Sequence, residues 1–84
     1  MNGRHRKTLQ AIFSNPISGN IAFADIEALL VAVGAILSED RGSRIRFDYG
    51  SESVYFHRPH PGREALRYRV MDAREFLKRI GVTL

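Results

Sequence analysis

The feature that most constrains the fold of this chain is a pair of alternating apolar and polar stretches around a Gly-Ser dipeptide. The stretches cover residues 44–49 and 52–57. Successive side chains of a strand point to opposite faces of a sheet, so this alternation predicts two strands that are each buried on one face. Glycine at the first central position favours a two-residue type II′ turn, which places the hairpin turn at Gly50-Ser51.

This turn determines which residues of the two strands pair. The predicted pairs are Tyr49 with Glu52, Phe47 with Val54, Arg46 with Tyr55, Ile45 with Phe56, and Arg44 with His57. A shift of one residue would move Val54 and Phe56 to the solvent face, which the hydrophobic pattern disfavours. The predicted register therefore brings Arg44 and His57 together on the polar face.

The polar face of this hairpin carries arginine, tyrosine and histidine side chains. Guanidinium groups bind phosphate, and imidazole can accept or donate a proton near neutral pH. One interpretation is a site that holds, and cleaves, a phosphodiester backbone. The other is an ordinary solvated hairpin face with surface charges.

Composition places the chain among small globular proteins. Its 84 residues form one small domain, and 44% of them are hydrophobic. The chain has no cysteine, which excludes disulfides and thiolate metal sites. No apolar run approaches the roughly 20 residues of a membrane helix, and no N-terminal hydrophobic segment indicates secretion. We therefore expect a cytoplasmic protein without a membrane contact.

The net charge of +4 is distributed unevenly along the chain. Residues 8–40 contain four acidic residues and no lysine or arginine, whereas residues 41–84 contain ten basic and five acidic residues. A basic surface concentrated around the hairpin indicates a polyanionic partner, with nucleic acid as the first candidate.

The rest of the chain predicts three helices and one further strand. The expected elements are a helix at Arg4–Ser14, a helix at Phe23–Val33, a strand at Ala35–Arg41, an arginine-rich loop at Arg63–Met71, and a helix that starts at Asp72. Asp72 and Glu75 form a capping-box variant that favours this last start. The predicted fold is α+β, in the order α-α-β-β-β-α, with helices on one face of a three-stranded antiparallel sheet.

Several short motifs occur in a characteristic order from Gly34 onward. They are Gly34, Gly42-Ser43 before Phe47, Pro59-His60-Pro61-Gly62, and Arg74–Gly81 in the closing helix. On these motifs, the segment from Ala24 to Val82 resembles the HicA toxin family. Residues 1–20 would then form an N-terminal helical extension and linker, and residues 21–84 the core of a single domain.

The resemblance implies a fold similar to double-stranded-RNA-binding domains. It also implies the toxin of a type II toxin–antitoxin system that cleaves mRNA without a cofactor and is neutralised by a HicB-like antitoxin. The family motif is Gly-Ser-His, with the histidine as the catalytic residue, but this chain has Arg44 at that position. A guanidinium stays protonated at physiological pH, so Arg44 can bind a phosphate but cannot transfer a proton as histidine does.

The predicted register offers a replacement for the missing histidine. In this hypothesis His57 is the general base on the RNA 2′-OH and His60 is the complementary acid. Arg44 and Arg46 would hold the scissile phosphate, and Tyr55 would stack on a base or donate a hydrogen bond. The further phosphate-binding candidates are Arg58, Arg63 and Arg67.

Simpler interpretations of the same residues remain open. The chain could be a non-catalytic RNA-binding or antitoxin-binding module. His60 could belong to a rigid proline-rich exit from the third strand, and Tyr68 is predicted to pack against the protein. A metal site is not expected, because no carboxylate is placed to complete a ligand set with His57 and His60.

Overall fold

The computed structural model describes all residues from Met1 to Leu84. Its elements are α1 (Gly3–Ile12), α2 (Phe23–Ala32), β1 (Ile36–Glu39), β2 (Arg44–Tyr49), β3 (Glu52–His57) and α3 (Arg67–Arg79). The α+β class and the predicted order of elements are confirmed. None of the three helices has the length and apolar character that a bilayer-spanning helix needs.

The sheet is antiparallel, with β2 between β1 and β3. All six pairs predicted or implied by the Gly50-Ser51 turn occur in the register of β2 and β3, from Arg44 with His57 to Tyr49 with Glu52. Gly50 has a φ of 59°, and no residue other than glycine has a positive φ. This combination agrees with the predicted type II′ turn and confirms the register.

One face of the sheet forms part of the hydrophobic core. Ile45, Phe47 and Phe56 are almost completely buried. The ring of Phe56 makes edge-to-face contacts with Phe47, at 6.0 Å between centroids, and with Phe23 of α2, at 5.5 Å. The helices therefore cover this face, and the opposite face of β2 and β3 is left to the solvent, as predicted.

The start of α3 differs from the sequence prediction. The helix begins at Arg67, five residues before Asp72, and its N-cap residue Leu66 makes no side-chain capping bond. Val70 is completely buried and lies three residues before buried Ala73. This helical spacing of apolar residues continues the helix on the N-terminal side of the capping motif at Asp72 and Glu75. Asp72 lies within the helix and pairs with Arg69 at 3.7 Å. The predicted loop at 63–71 is therefore wrong from Arg67 onward.

The segment before α3 is held against the segment before α2. The amide of Ala65 donates to the Ile21 carbonyl at 2.8 Å, and the amide of Phe23 donates to the Arg63 carbonyl at 3.1 Å. Ala65 is itself buried. These bonds fix the first turn of α3 beside the end of β3, where the candidate site lies.

Candidate functional site

Four of the predicted site residues lie together on the open face of the sheet. Arg44 and Arg46 of β2, with Tyr55 and His57 of β3, are all exposed on this face. They lie together because their neighbours in sequence are drawn into the core and alternate side chains must point the other way. The register places Arg44 opposite His57 and Arg46 opposite Tyr55.

Arg44 and His57 form a non-hydrogen-bonded pair of the antiparallel ladder. The amide of Arg44 donates to the Arg41 carbonyl at 2.9 Å, and its carbonyl accepts from the Asp40 amide at 3.0 Å, so both groups point away from β3. In such pairs the Cα atoms are about 4.5 Å apart and the side chains are closer than in hydrogen-bonded pairs. The side chains of Arg44 and His57 are therefore attached to adjacent backbone positions at the open end of the hairpin.

Both arginines of this face lie near the ring of Tyr55. The Cζ atoms of Arg44 and Arg46 are 4.6 Å and 6.0 Å from the ring centroid. Interaction with Tyr55, followed by that with Asp48, raises the pKa of Arg46 above its ordinary value. A guanidinium over an aromatic face is a favourable contact, so the three side chains are organised before any ligand binds.

Acidic residues partly neutralise this basic patch. The Nε of Arg46 is 2.9 Å from Asp48, and the Nε of Arg44 is 3.7 Å from Asp40. The hydroxyl of Ser53 donates to Asp48 at 2.5 Å. This hydrogen bond, assisted by Arg46, holds the pKa of Asp48 below its ordinary value despite an opposing effect of desolvation.

His57 also borders a second surface that the sequence prediction did not include. A cleft of about 190 Å³ lies between the end of β3 and the first turn of α3, and its lining includes His57, Leu66, Tyr68 and Arg69. Tyr68 is 55% exposed, so the prediction that it packs against the protein is wrong. The spacing of Val70, Ala73 and Leu77 is the signal that could have extended α3 and revealed this surface.

Three further predicted site residues, two after β3 and one at the start of α3, line another cleft. Its volume is about 450 Å³, and its lining includes His60, Arg63 and Arg67. His57 and His60 line different clefts, and the two clefts share the lining residues Pro59, Glu64, Ala65 and Leu66.

Arg58 has a different environment from the other candidate phosphate ligands. Its Nε and one terminal nitrogen each lie 3.1 Å from a carboxylate oxygen of Glu27, and the other terminal nitrogen lies 3.0 Å from Glu39. The hydrogen bonds with Glu27, followed by those with Glu39, raise the pKa of Arg58. Arg58 therefore joins α2, β1 and the end of β3, and its charge already has protein partners.

The titratable residues do not form a metal site. No group of three or more histidine, aspartate or glutamate side chains is placed to hold a metal ion.

Most of the chain matches a known protein family. The family described as "HicA toxin of bacterial toxin-antitoxin" matches residues 23–82, which is 60 of the 84 residues. The chain belongs to the HicA toxin family. No curated protein and no solved structure gives a significant match.

The HicA match starts at the first residue of α2 and ends after α3. It confirms the family predicted from the Ala24–Val82 motifs, and it leaves α1 outside the matched segment. As a HicA-family toxin of a toxin–antitoxin system, this protein is expected to have an antitoxin as its partner.

Proposed function

We propose that this HicA-family chain is the toxin of a type II system, that it binds RNA on the open face of its sheet, and that it cleaves mRNA without a metal ion. The observation that carries the proposal is the opposed pair of Arg44 and His57 on that face. The similarity of the family fold to double-stranded-RNA-binding domains supports RNA as the ligand, and a HicB-like protein is the proposed antitoxin.

In the proposed reaction, His57 accepts the proton of an RNA 2′-OH. The 2′-oxygen forms a bond to phosphorus while the bond between phosphorus and the 5′-oxygen breaks. Arg44 stabilises the charge that develops on the phosphoryl oxygens, and Arg46 provides a second cation. Tyr55 offers a ring on which a base can stack. Arg44 cannot replace the base itself, because its guanidinium remains protonated.

The departing 5′-oxygen needs a proton, and His60 is the proposed donor. The departing oxygen is bonded to the phosphorus that the 2′-oxygen attacks, so the scissile phosphate would have to lie at Pro59, which borders both clefts, for both imidazoles to reach it. Arg63 and Arg67 line the same cleft as His60 and would bind the following phosphates. Arg58 takes a positioning role in this proposal, because Glu27 and Glu39 already occupy its donors.

A second candidate function is a HicA-like module that binds RNA or the antitoxin but no longer cleaves. The presence of Arg44, where the family motif has histidine, favours this alternative. A fold that recognises RNA by shape and phosphate contacts can retain affinity after catalysis is lost.

The deciding experiment is induced expression without antitoxin, followed by measurement of growth and of total RNA integrity. The wild type is compared with His57→Ala, Arg44→His and, as a control, His5→Ala on α1. We expect growth arrest and RNA loss in the wild type and in His5→Ala, but not in His57→Ala. Arrest that persists in His57→Ala would contradict the role of His57, and arrest confined to Arg44→His would favour the non-catalytic module.

RNA binding and antitoxin binding are tested on the purified protein. The RNA affinity of the wild type should fall as salt concentration rises, with a slope of about 0.7 per neutralised phosphate for a single strand. Arg44→Glu should weaken both RNA and antitoxin binding if the antitoxin covers the same face. Unchanged antitoxin binding by this variant would place the antitoxin on another surface.

A further inference from the structure

The cleft between β3 and α3 has the size and lining of a site for one planar group. Its volume of about 190 Å³ is below the roughly 300–1,000 Å³ of typical small-molecule pockets. Buried Phe23 and Ala65 contribute apolar surface, and Tyr68 stands at its border with 55% of its surface exposed.

Tyr68 is held in place by the helix and by its neighbour. The Cζ atom of Arg69 lies 4.5 Å from the centroid of the Tyr68 ring. The Arg69 side chain is only 21% exposed, and Asp72 pairs with it at 3.7 Å. Val70, the next residue, is completely buried and anchors this turn in the core. An exposed ring that is oriented in this way loses little conformational freedom when another ring stacks on it.

His57 has two arginine–tyrosine pairs as neighbours. On the sheet, Arg44 covers Tyr55, and on the helix, Arg69 covers Tyr68. Tyr55 shares a strand face with His57, and Tyr68 shares a cleft with it. An RNA strand that presents a phosphate to His57 would therefore have two aromatic rings in its neighbourhood, and aromatic rings are the platforms on which single-stranded bases stack.

The cleft offers polar groups to a base as well as apolar surface. Glu64 belongs to its lining and has no ion-pair partner within the protein, whereas the lining residues Arg58 and Arg69 are already paired with carboxylates. A carboxylate can accept a hydrogen bond from the exocyclic amino group of a base. The lining therefore suits a planar group that carries a hydrogen-bond donor.

We propose that the cleft formed by His57, Leu66, Tyr68 and Arg69 is a nucleobase subsite, in which Tyr68 stacks on the base adjoining the phosphate at His57. This inference rests on the proposed function, because it needs RNA on the open face. It adds Tyr68 and Arg69 of α3 to a binding surface that otherwise consists of the hairpin, the loop at 58–66 and Arg67.

The test uses single-stranded 2′-O-methyl RNA, which lacks the 2′-OH nucleophile, with 2-aminopurine as a reporter of stacking. The variants are Tyr68→Ala, Tyr68→Phe, and Met71→Ala as a control exposed on the same helix. We expect Tyr68→Ala to weaken RNA binding roughly tenfold and to remove the fluorescence quenching. Tyr68→Phe and Met71→Ala should behave as the wild type, and all variants should unfold at the wild-type temperature.

Two results would overturn the inference while leaving the proposed function intact. One is RNA affinity and quenching in Tyr68→Ala equal to those of the wild type. The other is loss of antitoxin binding in Tyr68→Ala with RNA binding unchanged, which would assign the cleft to the antitoxin. Failure of the wild type itself to bind RNA would overturn both proposals.

Discussion

At the scale of single residues, the arginines fall into two groups that the sequence does not distinguish. Arg58 has carboxylate partners on two elements, whereas Arg63 and Arg67 have none. A paired guanidinium must leave its partners before it can bind a phosphate, and an unpaired one need not. We therefore expect Arg63 and Arg67 to bind phosphate more readily than Arg58.

Replacing Arg58 and Arg63 by alanine should separate stability from binding. Arg58→Ala leaves Glu27 and Glu39 without their cation, and we expect a loss of about 1 kcal/mol in the free energy of unfolding, because the pair is partly solvent-exposed. Arg63→Ala should stay within about 0.5 kcal/mol of the wild type but weaken RNA binding. Urea denaturation and RNA titration measure both effects, and equal denaturation midpoints for the two variants would contradict the assignment.

Asp48 should make stability depend on pH in the acid range. Its pKa in the folded protein lies below the ordinary value of 3.8, mainly because Ser53 donates to it and Arg46 pairs with it. The stabilisation is therefore complete above about pH 4 and is lost as the pH falls through the folded-state pKa. Thermal unfolding temperatures of Asp48→Asn and the wild type should differ at pH 7 and converge as the pH falls through the folded-state pKa of Asp48; a constant difference would show that the carboxylate charge has no part in it.

At the scale of elements, the early start of α3 determines what surrounds His57. The five additional helical residues, from Arg67 to Met71, bring Tyr68 and Arg69 to the cleft at the end of β3. Had the helix started at Asp72, these side chains would belong to an irregular loop. The buried Val70 gives the physical reason for the longer helix, because its apolar surface is removed from water only when this turn packs on the core.

Proline substitutions test where α3 begins. Met71→Pro removes a hydrogen bond inside the helix and clashes with the preceding turn, so we expect a loss of about 3 kcal/mol or more. Arg67→Pro should cost little, because Arg67 is the first helical residue and Leu66 already has the extended backbone that proline requires before it. Chemical denaturation checks the difference, and similar stability of both variants would indicate a loop instead of a helix.

At the scale of the whole molecule, α1 is part of the core although the family match begins after it. Leu9 and Ile12 are buried in the same cluster as the apolar face of the sheet. Arg74 of α3 donates to the carbonyls of Ile12 and Ser14 at 2.8 and 2.6 Å. The segment described from sequence as an extension is therefore packed against α2 and α3.

Substitutions on α1 measure this contribution to stability. Ile12→Ala should lower the free energy of unfolding by about 2–5 kcal/mol, because Ile12 is completely buried. Gln10→Ala on the exposed side is the control and should change stability by less than about 0.5 kcal/mol. A chain of residues 21–84 alone should lose its cooperative thermal transition. Stable, cooperative unfolding of this shorter chain would show that α1 is a dispensable appendage.

The sequence by itself determined the hairpin, its register and the identity of its two faces. Alternation over six residues on each side of a two-residue turn permits one pairing that buries Ile45, Phe47, Val54 and Phe56 together. The opposition of Arg44 and His57 followed from that local pairing. The family was likewise predictable, because its motifs are short segments in a fixed order.

Only the tertiary structure decided which side chains surround that pair. The carboxylates that hold Arg58 come from α2 and β1, and the ring of Tyr68 comes from a helix whose true start depends on packing of Val70. The clefts that His57 and His60 line likewise depend on how the loop at 58–66 is bonded to the segment before α2. These contacts join residues far apart in the chain, so they depend on how the elements pack together, which local periodicity does not encode.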